Sequence, residues 1–124
     1  MKFYFCPICK NLLVTVNESG VTPSCCGETM KELVVNTVDA AVEKHVPHVV
    51  LDGKHVHVEV GSVPHPMTEA HYIDFVVLET NLGFYTHYLN RSEPAKTEFV
   101  LLKDEVPVAV YEYCNLHGLW KVNL

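Results

Sequence analysis

The chain lacks an apolar run approaching the ~20 residues of a membrane span, and MKFYFCPICKN at its start carries no apolar signal segment. It lacks a basic surplus as well. Nine Lys and Arg stand against fifteen Asp and Glu, a net charge of -6 with histidine neutral. A general nucleic-acid binder would show a basic patch, so that class is set aside. No repeat and no low-complexity segment interrupts the 124 residues. Nor is the cysteine count even: five thiols cannot all pair, and CxxC spacing in a reducing compartment points to metal rather than disulfides. These features predict a cytoplasmic protein that binds neither membrane nor nucleic acid.

What is present divides unevenly. Residues 1–36 are too few to bury a stable core alone, since chains below about 40 residues usually need metals or disulfides. Cys6 and Cys9 in CPIC, and Cys25 and Cys26 in CCGETM, supply that support. Leu12 to Val16 reads as a short strand closed by a Glu18-Ser19-Gly20 turn. Residues 37–124 form the larger domain. Residues 37–45 predict one or two helical turns, with Asp39 as the cap. Beyond them Val56, Val58 and Val60 alternate with His55, His57 and Glu59, the pattern of a half-buried strand. Further β-rich runs cover 72–80, 83–88, 98–102 and 108–113, separated by turns at 81–83, 90–94 and 103–107. Short strands at this spacing predict a mainly β fold, a sandwich.

Two donor sets carry the chemistry. In the first, Cys6 and Cys9 flank two residues and can share one metal. Cys25 and Cys26 are adjacent, so both can ligate only if the backbone bends sharply, which Gly27 favours. The product is a distorted tetrahedral site of four sulfurs that suits iron or zinc equally. The second set is His45, His65, His71, Cys114 and His117, in EKHVP, SVPHPMTEAHYI and YCNLHGLW. Structural zinc usually closes with four ligands and catalytic zinc with three plus water. Four imidazoles and a thiolate fit a redox-active iron better, with one position open to a small oxygen species. Cys114 and His117, three apart, can serve one metal from one loop. Pro64 and Pro66 stiffen the loop that holds His65. The other histidines, His48, His55, His57 and His87, read as surface or hydrogen-bonded residues. His55 and His57 share a strand face, where they read as an adventitious surface metal site without function.

SVPHPM, HYI and CNLHGLW, together with CPIC and CCGETM at the N-terminus, resemble the desulfoferrodoxin and neelaredoxin family of superoxide reductases in its two-iron form. Nearly the whole chain is covered. The resemblance implies a desulforedoxin-like four-cysteine iron domain at 1–36 and an immunoglobulin-like β-sandwich at 37–124. It tilts the four-sulfur site towards iron, with zinc as the substitute. It brings His45 to the second centre, and it implies four equatorial histidines with Cys114 axial, opposite an open position. The implied activity is one-electron reduction of superoxide to hydrogen peroxide without dioxygen release. Through the EKHVP match it assigns Glu43 to the open ferric position and Lys44 to superoxide capture and protonation. It further implies a homodimer and a small electron donor such as rubredoxin. A non-catalytic iron electron carrier or zinc-binding protein is the alternative. A histidine-rich zinc hydrolase is disfavoured by the soft cysteine ligand.

Overall fold

The computed structural model describes residues 1–38 and 40–124. The described residues are mainly β and fall into two compact units, Met1–Val34 and Val35–Leu124.

In the first unit, β1 (Phe3–Phe5) pairs antiparallel with β2 (Leu12–Val14) on one side and β5 (Lys31–Glu32) on the other. A two-residue ribbon, β3 (Ser24–Cys25) with β4 (Glu28–Thr29), stands apart from that sheet. The cluster of buried residues here is small: Tyr4, Cys6 and Met30, with Cys25 packed against them.

The second unit has a single helical turn, α1 (Val42–His45), the shorter of the two lengths that residues 37–45 allow. Ala41 is its N-cap and makes no side-chain cap bond. The expected cap, Asp39, lies outside the described residues. Pro47 two residues on explains the early stop, because the residue before a proline is pushed towards extended backbone, as Val46 is.

Seven strands follow: β6 (Pro47–Asp52), β7 (His55–Val60), β8 (Ile73–Thr80), β9 (Gly83–Tyr88), β10 (Lys96–Val100), β11 (Pro107–Cys114) and β12 (Gly118–Asn123). They form two antiparallel sheets, β10-β7-β6 and β12-β11-β8-β9. Val56, Val58, Val60 and Phe99 of the first sheet share one core with Ile73, Val76, Leu78 and Val110 of the second. This is a sandwich of the immunoglobulin-like kind. The alternation in β7 falls as its sequence predicts, valines inward and His55, His57 and Glu59 outward.

Connectivity then gathers the chemistry at strand ends. The start of β6 pairs with the end of β7, and the start of β8 with the end of β11. The turn before β6, the loop from β7 to β8 and the hairpin from β11 to β12 therefore meet. A register shift next to Cys114, which pairs it with Ile73, is the local irregularity by which a strand re-aims a side chain.

Candidate metal centres

The five donors read from sequence converge. His45, His65, His71, Cys114 and His117 each offer a ligand atom within 4.8 Å of the others, and His45, His65 and Cys114 are buried. The ring geometry gives their order. His45 lies 4.7 Å from His65 and 4.8 Å from His117, nearly perpendicular to both at 75° and 87°. His71 repeats the relation, 4.6 Å from His65 and 5.1 Å from His117 at 81° and 80°. His45 and His71, 6.4 Å apart, are opposite corners. The imidazoles thus ring a common point as a square. Cys114 Sγ is 3.6 Å from His65 Nε2 and 3.8 Å from His117 Nδ1, so it is nearly equidistant from two opposite corners. His45 and His71 take the remaining corners, and the sulfur is a fifth donor to the same point.

Hydrogen bonds set which nitrogen faces inward. His45 Nδ1 donates to Ala41 O at 2.8 Å and His65 Nδ1 to Pro66 O at 2.7 Å. Carbonyls only accept, so both rings carry their proton on Nδ1 and present a bare Nε2. Those two Nε2 atoms stand 3.1 Å apart, and His45 Nε2 is 3.0 Å from His117 Nδ1. Neutral imidazoles in this state cannot bond one another through two lone pairs; a cation between them satisfies both. The spacing suits one, because neighbouring ligands at right angles about a metal ~2.1 Å away lie ~3.0 Å apart. His71 Nε2 is buried with no hydrogen-bond partner, which is what a ligand atom shows without its metal. Burial lowers the pKa of His45, His65 and His71, with His65 pushed down to about 4, so these rings are neutral ligands at neutral pH. Burial raises the Cys114 thiol, so its thiolate needs a cation beside it. The donor set fits a metal that accepts both imidazole and thiolate, as iron does.

The four cysteines also meet, with sulfurs within 4.8 Å of one another and none in a disulfide. Cys9 and Cys25 sulfurs are 3.5 Å apart, and those of Cys25 and Cys26 4.0 Å. A tetrahedron with ~2.3 Å metal–sulfur bonds has edges of ~3.8 Å. The sharp bend needed for the vicinal pair is present, with Cys26 at φ 53° and Gly27 at φ 75°. The Cys9 backbone N–H draws the Cys6 thiol down to about 7. Hydrogen bonding with Cys9 and Cys6 pushes Cys26 up to about 12. Four thiolates can coexist here only around a cation.

Several supporting residues were not singled out from sequence. Asn115 binds two ligand loops together: its Oδ1 accepts from Tyr72 N at 2.9 Å and its Nδ2 donates to Ala70 O at 3.0 Å. Trp120 stacks on His45 at 4.9 Å, and its Nε1 donates to His117 O. Both lie in the CNLHGLW segment. Gly61 had no visible signal. It adopts φ 82°, and a Cβ there would meet the Glu43 and Val63 carbonyl oxygens at 2.6 Å. Bonds from Gly61 N to Val46 O and from Val63 N to Glu43 O close this turn over the Glu43–Val46 backbone. Glu112, on β11 and wholly buried, has no hydrogen-bond partner for either carboxylate oxygen, and burial raises its pKa well above the usual range. Glu43 is exposed and Lys44 half-buried, and the Lys44 charge disfavours protonation of both His45 and His71.

The family model for desulfoferrodoxin matches residues 37–123. The chain belongs to the desulfoferrodoxin family. It is 40% identical over 120 residues to the desulfoferrodoxin of Syntrophotalea carbinolica, covering 97% of this chain and 94% of that one. A desulfoferrodoxin homolog of Archaeoglobus fulgidus is 38% identical, with 98% and 95% covered. Among solved structures, the superoxide reductase of Treponema pallidum superposes with a TM-score of 0.83 at 37% identity, covering 99% of this chain and 100% of that one. The one-iron superoxide reductase of Giardia intestinalis matches with a TM-score of 0.53 at 34% identity, over 66% of this chain and 97% of its own. The two donor sets match the iron centres of this family, which is a family of oxidoreductases. Among the described residues, no helix is long and apolar enough to cross a membrane.

Proposed function

We propose that this chain is a superoxide reductase, converting superoxide, one electron and two protons into hydrogen peroxide without releasing dioxygen. The carrying observation is the square of four imidazoles with one cysteine sulfur as a fifth converging donor. Ferrous iron held there would supply the single electron and a coordination position that none of the five side chains fills. Cys114 would hold a buried negative charge and donate soft electron density to an iron bound there. His45, His65, His71 and His117 bind as neutral rings, so the loaded site keeps a net positive charge that attracts an anion.

The Glu43-Lys44-His45 turn brings charge to the same place. Lys44 steers superoxide to the site and offers an N–H donor to the incoming oxygen. Glu43, exposed one residue away, would offer a carboxylate to the oxidised iron. Gly61 and Val63 fix the backbone from which both project. The four-cysteine unit would hold the second iron, with zinc as its substitute. A small electron carrier such as rubredoxin restores the reduced state, and the chain works in the cytoplasm as a homodimer.

The test is stoichiometry. Reduced, iron-loaded protein mixed anaerobically with generated superoxide should form one peroxide per superoxide consumed, without dioxygen. Dioxygen evolution beyond a control without protein would point to dismutation and overturn the reading.

A further inference from the structure

The outer face of the β10-β7-β6 sheet carries a cluster that the two iron centres do not use. His55 and His57 are two residues apart on β7 and project to the same side. Their rings are nearly parallel, at 13° with centroids 6.1 Å apart. Glu98 of β10 sits directly opposite His57 in the ladder. One carboxylate serves both rings: His55 Nδ1 is 2.5 Å from Oε1 and His57 Nδ1 is 3.1 Å from Oε2. We propose that His55, His57 and Glu98 form a third, solvent-facing site for a borderline divalent transition cation of the zinc(II), nickel(II) or copper(II) class.

Three observations support the assignment. The donors are two imidazoles and one carboxylate, a set that suits these cations, whereas magnesium and calcium favour all-oxygen sites. Each side chain is between 43% and 45% exposed, so a cation can reach it and the rings have room to close on one ion. The surrounding charge is favourable. Asp52 is registered opposite His55 on the same face, and Lys96, registered opposite Glu59, is paired with it at 3.4 Å. The His55 hydrogen bond and both neighbouring rings hold the Glu98 carboxyl below its ordinary pKa, so it is an ionised donor at neutral pH. Sequence alone made this pair adventitious because its third donor comes from β10, about forty residues away, and only the ladder register brings it in.

Nickel(II) titrated into iron-loaded protein and followed by calorimetry, with iron content and visible spectrum recorded in parallel, tests the site. We expect one equivalent to bind with no loss of iron. His57→Ala should weaken that binding by at least about 10-fold, and Glu98→Gln should weaken it less. His48→Ala, which removes a histidine of the same sheet face outside the cluster, should leave it unchanged. Binding in His57→Ala equal to wild type would overturn the proposal. So would loss in His48→Ala equal to that in His57→Ala, uptake only in exchange for iron, or no uptake. None of these readouts depends on superoxide reduction, so this inference and the proposed activity fail separately.

Discussion

The two metal centres are built on opposite principles. The four-cysteine site takes its donors from two short sequence motifs in a unit with a small buried cluster, Tyr4, Cys6 and Met30. There a bound metal would make up for a small core. The His4Cys site draws its donors from segments up to 72 residues apart, such as His45 and His117, and a packed sandwich of two sheets brings them together. There the core exists first and the metal is added to it. Cheap local donors give a site that depends on its ion; distant donors give a site that depends on the fold.

Complete metal removal should break the comparison open most widely. In the chelated protein, amides of β1 and β5 should lose hydrogen-exchange protection, because a chain of this length seldom folds without its metal. Amides of β8 and β11 should stay protected. Retained protection at Phe3 to Phe5 would show that the first unit has a core of its own. Next in size, Gly61→Ala should cost about 2–4 kcal/mol, from positive-φ strain plus the clash with the Glu43 and Val63 carbonyl oxygens. In the second unit that corresponds to roughly 10 °C or more in Tm. The ferric spectrum should also shift, because the turn carrying Glu43 must move. An unchanged Tm would mean that the turn yields freely.

Lys44→Ala should leave both metals bound and slow superoxide capture by roughly 10-fold, with a flatter salt dependence, since the screened attraction is gone. Stopped flow at several ionic strengths checks this, and a wild-type rate with a wild-type salt slope would remove Lys44 from the mechanism. The smallest effect concerns Glu105. It accepts from the Thr80 hydroxyl at 2.6 Å, the Leu102 N–H at 2.8 Å and the Tyr85 hydroxyl at 2.9 Å. The Thr80 bond first, then that of Leu102, holds its pKa below the ordinary carboxylate value. A depressed pKa contributes stability that is present above the unfolded value, ~4.3, and is lost as pH falls through the folded one. Glu105→Gln should therefore lower Tm by a few degrees at pH 7, and its gap from wild type should narrow as the pH drops below about 4.

Most donors were legible because CPIC, CCGETM, SVPHPM and CNLHGLW state residue types and spacing directly, whereas His45 came only through the family resemblance. Strand β7 was legible because its valines alternate without a break. What escaped was long-range. β12 was hidden because its first residues fall in the CNLHGLW segment read as a ligand loop. Gly61 looks like any loop glycine until the Glu43 backbone is placed against it. Glu112 sits where strand alternation puts a core residue, between Val110 and Cys114, and no local pattern explains a carboxylate there. Residues 37–45 left one or two helical turns open, and Pro47, which ends the helix after one turn, decides between them.

The most direct test of the comparison is the superoxide reaction of Cys9→Ser loaded with iron at the His4Cys site alone. The two ligand sets share no residue, so the first centre should lose its colour while the reduced protein still consumes superoxide at close to the wild-type second-order rate. The product should be peroxide without dioxygen. If this variant is folded and retains its His4Cys iron but no longer reduces superoxide, the division of labour between the two centres is wrong.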